Sequence, residues 1–215
     1  MNLFRGRRRP GEMSPRYRLF RRTMFRLCRL LFGYTLHGGE RVPAEGPLII
    51  ASNHSQYADP VLVCVAVPRR VQWMGKKELF VFPLRKFFHF IGTFPVDREG
   101  GGRAAIRAAL AYLAEGWALG IFPEGTHRGD ESSKQAKSGA VVLASRGNAP
   151  ILPVHVGRLP GPLGRLRGGR LHVYVGEPIE LDPTLRGGAA YRAKAEEIMR
   201  SIYALPQRYG QGDSP

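Results

Sequence analysis

The chain reads as an α/β protein, a largely parallel sheet covered by helices behind an N-terminal basic amphipathic helix. Three observations lead there. Short apolar runs of strand type, such as Leu48–Ser52, Ala118–Phe122 and Ile151–Val156, alternate with stretches whose apolar residues recur at helical spacing. Polar residues capable of chemistry follow two of those runs directly, and α/β sheets gather ligands beyond the carboxyl ends of their strands. A length of 215 residues with 43% apolar content suits one domain with a sizeable core.

Taken in order, residues 1–13 are rich in Arg, Gly and Pro and are expected to form a disordered basic tail. Over residues 14–37 the pattern becomes helical. Tyr17, Phe20, Met24, Leu27, Cys28 and Leu31 recur at steps of three and four, while Arg18, Arg22, Arg26 and Arg29 fall largely on the other side. A basic amphipathic helix with aromatic anchors suits a membrane surface, where each arginine near an anionic leaflet contributes about 1 kcal/mol. The same pattern fits a helix packing on the body of the protein, or one binding nucleic acid.

Gly38-Gly39 ends that helix, and Val42–Pro47 is a turn-rich lead-in to the strand Leu48–Ser52. Asp59-Pro60 opens a helix to about Val67, with Asp at the N-cap and Pro at the first helical position. Val71–Met74 reads as a strand, Pro83–Ile91 as a helix with Leu84, Phe87, Phe88 and Ile91 on one face, and Gly92–Arg98 as an extended segment. An Ala-rich helix covers residues 103–115, the strand Ala118–Phe122 runs into Pro123-Glu124-Gly125-Thr126-His127-Arg128, and a helix covers Ala136–Ser145. Ile151–Val156 and Leu171–Val175 are strands flanking a Gly/Pro/Arg loop, Leu159–Gly169. Ala189–Tyr203 is a closing amphipathic helix, with residues 206–215 as a flexible tail.

The net charge of +16 calls for an anionic partner: nucleic acid, an anionic lipid surface or a phosphorylated substrate. It is uneven, since residues 1–29 hold ten arginines against one acid, Glu12. Two cysteines, Cys28 and Cys64, both in apolar surroundings, suggest neither a disulfide framework nor a metal site. No apolar core of signal-peptide type follows the basic start, and no run approaches the length of a membrane-spanning helix.

His54 can take a proton near neutral pH, and a carboxylate on its other ring nitrogen would fix the tautomer. Asp59 is the candidate orienter, and is equally well read as a helix cap. Arg98 could pair bidentately with a phosphate or be a solvated arginine beside Glu99. Glu124-Gly125-Thr126 offers an acid, exposed amides and a hydroxyl, or is a plain turn. The chain has no Gly-x-Ser-x-Gly elbow, no phosphate-binding Gly-x-x-x-x-Gly-Lys loop, no dinucleotide fingerprint and no zinc-type spacing. A His–Asp pair without an obvious nucleophile points to activation of a substrate's own hydroxyl, as in transfer from a thioester.

Taken together, the motifs resemble the glycerolipid acyltransferase superfamily, and within it the 1-acyl-sn-glycerol-3-phosphate (lysophosphatidic acid) acyltransferase family. Its first block, Asn-His-four residues-Asp, stands as Asn53-His54-Ser55-Gln56-Tyr57-Ala58-Asp59. Its second resembles Gly92-Thr93-Phe94-Pro95-Val96-Asp97-Arg98, preceded by a family-like Gly75–Phe80. Its third, Phe-Pro-Glu-Gly-Thr, is unbroken at residues 122–126, and its fourth resembles Ala149-Pro150-Ile151-Leu152-Pro153-Val154. The resemblance spans about residues 40–180 and implies a single acyltransferase domain at 38–205. It implies His54 as general base, Asp59 as its orienter, and Arg98 on the acceptor phosphate. Glu124, Gly125 and Thr126 would bind the acceptor, and Pro153 would lie nearer the acyl donor. One position departs: His127 stands where the family carries Arg, with Arg128 following as the displaced candidate for the phosphate.

The function so implied is acyl transfer from acyl-CoA or acyl carrier protein to the hydroxyl of a lysophospholipid, 1-acyl-sn-glycerol 3-phosphate first among them. The acyl donor is a co-substrate, and no cofactor or metal is implied. The alternatives are another acceptor (a lyso-ornithine lipid, glycerol 3-phosphate or a lysocardiolipin), a hydrolase, or a non-enzymatic nucleic-acid-binding protein. The expected location is peripheral, on the cytoplasmic face of the cell membrane.

Overall fold

A computed structural model describes residues 12–96, 102–124 and 136–210, the side chains of Lys76 and Leu79 excepted. The basic tail expected over 1–13 lies almost wholly outside them. In chain order the helices are α1 (Pro15–Phe32), α2 (Asp59–Ala66), α3 (Leu84–Phe90), α4 (Arg103–Ala114), α5 (Gly139–Gly147), α6 (Pro162–Leu166) and α7 (Gly188–Gly210). The strands are β1 (Thr35–His37), β2 (Leu48–Ser52), β3 (Val71–Lys76), β4 (Thr93–Val96), β5 (Ala118–Ile121), β6 (Ile151–Val156) and β7 (His172–Val175). They form one seven-stranded sheet in the order β1-β7-β6-β2-β5-β3-β4. Every pairing is parallel except β6 with β7, which is antiparallel.

β2 lies at the centre and all five of its residues are buried. That is the environment of a parallel strand covered on both faces, and it explains a run of apolar residues without alternation. Leu48 and Ile50 face a core closed by α2 through Leu62, Val63 and Ala66, with Met24 and Phe25 of α1 packed against it. Ile49 and Ala51 face the opposite core, closed by Leu113 of α4, Val141 of α5 and Ile198 and Ile202 of α7.

The structure departs from the sequence reading at both ends of the chain. β1 occupies residues 35–37, which the helical pattern over 14–37 includes. Its Thr35 pairs with His172, so only the arrival of β7 makes it a strand. α7 continues through Gly210 rather than ending near Tyr203, because Tyr209 donates to the Val175 carbonyl at 2.7 Å and accepts from Arg41 at 2.6 Å.

α1 is capped at both ends by its sequence. Ser14 Oγ accepts from the Tyr17 amide at 2.9 Å, Pro15 occupies the first turn, and Gly33 takes the left-handed conformation (φ 61°). Its apolar stripe is divided. Tyr17 and Cys28 are buried, and Met24 packs against the core. Leu27 and Leu31, expected on the same face, point outward with Leu19 and Leu30, at 41%, 48%, 66% and 75% exposure. The helix thus packs on the body and also presents leucines among arginines to the surroundings. No helix among the described residues is long and apolar enough to cross a membrane.

At the amino end of β2, Arg69 is 2% exposed and donates to the carbonyls of Pro43 (3.0 Å), Gly46 (2.7 Å) and Gly116 (2.8 Å). It ties the lead-in turn to the loop before β5, and burial pushes its pKa down. Arg69→Met leaves those carbonyls without a donor. We expect a loss of about 3 kcal/mol or more in urea-unfolding free energy, given about 1.5–3 kcal/mol for each hydrogen bond to a charged group.

Candidate active site

The site begins where β2 leaves the sheet. The last register pair between β2 and β6 is Ser52 with Val154. One residue on, the Asn53 side chain takes over from the backbone: Nδ2 donates to the Val156 carbonyl at 2.9 Å and Oδ1 accepts from the Val156 amide at 2.7 Å. The ladder is thereby prolonged while the chain turns away, which projects His54 from the carboxyl end of the central strand.

Asp59, fully buried at the start of α2, holds the loop. Its Oδ2 accepts from His54 Nδ1 (3.2 Å), the Ser55 amide (2.7 Å) and the Gln56 amide (2.8 Å). These donors precede it in the chain, so the carboxylate does not cap α2 as the Asp-Pro pattern suggested. The N-cap position belongs to Ala58, and no side chain bonds there. An ionised carboxylate only accepts, so Nδ1 carries the proton and Nε2 is the basic nitrogen of the imidazole. Gln56 completes the clamp. It donates to the Gly157 carbonyl at 3.2 Å and accepts from the Leu159 amide at 2.9 Å, fastening the loop to the segment after β6.

The imidazole rests on an aromatic stack. Phe122, just past β5, lies 4.0 Å from His54 between ring centroids at 17°, and Trp73 of β3 lies 5.1 Å from Phe122 at 17°. Gly120 makes the stack possible, because a Cβ there would stand 2.4 Å from the Trp73 ring. Trp73 in turn donates to Cys64 Sγ at 3.3 Å.

Glu124 follows at the end of β5, the strand next to β2, and so shares a rim with His54. Tyr203 of α7 donates to Glu124 Oε1 at 2.5 Å. Burial, then this bond and the Glu124 charge, push the Tyr203 pKa well up. Arg98, Gly125, Thr126 and Arg128 lie outside the described residues. Pro153, read as lying nearer the acyl donor, is buried within β6 opposite Ala51. Its ring and the Leu205 side chain meet the position a Cβ on Gly176 would take, so it fills the layer under α7 rather than lining the rim. Reading from the sequence missed Gln56, Phe122 and Tyr203 as site residues. Gln56, lying between His54 and Asp59, and Phe122, which opens the Phe-Pro-Glu-Gly-Thr block, carried a signal, and Tyr203 carried none.

A largely parallel α/β sheet that clamps a histidine–carboxylate pair at the carboxyl end of its central strand defines the class of protein. The comparisons agree with that class. The family model described as Acyltransferase matches residues 33–157. The 1-acyl-sn-glycerol-3-phosphate acyltransferase of Bacillus subtilis (strain 168) is 31% identical over 178 residues, 82% of this chain and 86% of that protein. The Streptococcus pneumoniae protein of the same name is 28% identical over 67% of this chain, which spans 55% of its length. The crystal structure of the 1-acyl-sn-glycerophosphate acyltransferase PlsC from Thermotoga maritima superposes with a TM-score of 0.67, covering 89% of this chain and 78% of that one. At 21% identity it speaks to the fold alone. The chain belongs to the acyltransferase family, and it is an enzyme of that kind.

Two expectations follow. Phe122→Leu removes the ring under His54 while keeping the volume largely filled, and should lower kcat by about three- to tenfold without changing the far-UV circular dichroism, one aromatic contact being worth about 0.5–1.5 kcal/mol. His155 of β6 packs edge-to-face on Tyr203, and its pKa is lowered by burial, against the opposing pull of Asp59. Near pH 6 the folded protein therefore binds fewer protons than the unfolded chain, and stability falls as pH drops through the ordinary histidine value of 6.5. His155→Phe should flatten that decline in urea-unfolding curves between pH 7 and 5.

Proposed function

We propose that this enzyme moves a fatty acyl group from acyl-CoA or acyl carrier protein to the free hydroxyl of 1-acyl-sn-glycerol 3-phosphate, giving phosphatidic acid. The observation that carries the reading is the His54–Asp59 clamp, a base with its tautomer fixed at a strand end. The names of the B. subtilis and S. pneumoniae relatives supply the acceptor.

In this reading His54 Nε2 takes the hydroxyl proton as the acceptor oxygen attacks the thioester carbonyl. Asp59, held by two backbone amides, keeps the ring oriented and stabilises the imidazolium that forms. Collapse of the tetrahedral intermediate breaks the carbon–sulfur bond, and the proton on His54 passes to the departing thiolate. A thiolate leaves readily, so one base is enough and no enzyme-bound acyl intermediate is required. Glu124 would bear on the acceptor, with Arg98, Gly125, Thr126 and Arg128 as the further acceptor and phosphate contacts. The outward leucines and arginines of α1 support a peripheral position on an anionic membrane surface, and the cytoplasmic face, where anionic lipid and acyl donors meet, completes the reading.

Incubation of the purified enzyme with labelled acyl-CoA and a panel of acceptors should yield phosphatidic acid from 1-acyl-sn-glycerol 3-phosphate. Preference for a lyso-ornithine lipid, glycerol 3-phosphate or a lysocardiolipin would reassign the acceptor, and release of free fatty acid without an acceptor would make the protein a hydrolase. His54→Ala should lower turnover by about 100- to 10,000-fold, the usual share of a general base, with the unfolding midpoint retained. Substantial residual transfer would remove His54 from this role.

A further inference from the structure

A cavity of about 480 Å³, apart from His54 and Asp59, opens between the C-terminal end of α1 and the segment carrying α6. Its walls include Phe25, Gly33 and Leu36, and three arginines, Arg29, Arg165 and Arg170, converge on it. Arg165 and Arg170 both lean over Gly33, where a Cβ would lie 3.3 Å from the Arg165 guanidinium carbon and 3.1 Å from Arg170 Cγ. Any side chain there would fill the crevice, and the backbone at φ 61° favours glycine in any case. Among the described residues no carboxylate forms an ion pair with any of the three. Like charges gathered in a concavity with no carboxylate paired to them repel one another, and a bound anion relieves that repulsion.

The surroundings say what kind of anion. Leu163 and Leu166 of α6, at 59% and 85% exposure, flank Arg165 in sequence, and Leu30 of α1, at 75%, follows Arg29. Guanidinium groups with exposed leucines next to them in the chain suit an amphiphile whose head is a phosphate ester, which arginine binds bidentately. The cavity also lies at the edge of the sheet from which His54 projects. β1 begins at the end of the sheet where β6 finishes, since Leu36 pairs with Val173 and Val173 with Val156. Three strand spacings separate β1 from β2, roughly 14 Å.

We propose that this crevice binds the phosphate ester of an anionic phospholipid, with its acyl chains along Leu30, Leu163 and Leu166. The proposal rests on the membrane reading only for the source of the lipid. The site would seat a membrane lipid beside the rim that carries His54 and fix the catalytic edge against the bilayer.

The test uses calorimetric titration of the whole protein with dihexanoylphosphatidylglycerol below its micelle concentration. Neither catalysis nor vesicle partitioning enters, so failure of the acyl-transfer reading would leave the result standing. Arg165→Gln/Arg170→Gln should weaken binding by about tenfold or more. The charge-matched control Arg103→Gln/Arg107→Gln on α4 should leave it unchanged, and Arg165→Lys/Arg170→Lys, which keeps the charge but loses the bidentate fork, should restore only part of it. Dihexanoylphosphatidylcholine should bind more weakly than the glycerol ester. Equal affinity in the glutamine variant and the wild type, or no binding by the wild type, overturns the proposal. So does displacement of the lipid by CoA at lower concentration with loss of CoA affinity in the glutamine variant, which would assign the site to the nucleotide phosphates of a donor.

Discussion

The Asp59 carboxylate is buried at the start of α2 and surrounded by donors that come before it in the chain: the His54 imidazole and the amides of Ser55 and Gln56. A buried charge is tolerated only where it is met by such groups. The loop is therefore held to one shape by the need to satisfy the carboxylate, and that same shape orients the histidine. Helix start, loop conformation and tautomer are settled by one atom, Oδ2. Gln56 and Asn53 extend the constraint to β6 and the segment after it, so the loop that carries His54 is fastened there as well as to its own β2.

The second support is apolar and comes from the other side of β2. Phe122, just past β5, and Trp73 of β3 stack in succession under the imidazole, and these strands are neighbours only because the chain returns to insert β5 between β2 and β3. Gly120 matters to this arrangement through the side chain it lacks. The polar clamp and the aromatic floor thus reach His54 from opposite flanks of the central strand, leaving its orientation little freedom before any substrate is present.

α1 divides its apolar stripe in a way that amphipathicity alone does not reveal. Tyr17, Met24 and Cys28 turn inward, whereas Leu27 and Leu31, assigned to the same apolar face from spacing, stand in the outer row with the arginines. An apolar stripe wider than the groove that receives it must leave part of itself outside. The C-terminal end of this helix, with its left-handed Gly33, also forms one wall of the three-arginine cavity, so one element serves packing, surface and pocket.

By itself the sequence determined the alternation of elements and the residues with the chemistry. Those properties are local: buried strands read as apolar runs, helices show their period, and Asn53-His54…Asp59 and Phe122–Thr126 stand intact in the chain. Tertiary structure alone decided everything that depended on partners distant in sequence. Residues 35–37 became a strand because β7 paired with them, and residues 206–210 stayed helical because Tyr209 found Val175 and Arg41. Pro153 went to the interior because its register faces α7, and Tyr203 came to Glu124 from a helix seventy-nine residues away. Asp59 could be read as a cap or as an orienter until the loop's path was known. The physical reason is that a carboxylate next to a proline bonds whichever amides the fold brings to it, and here those are the ones behind it.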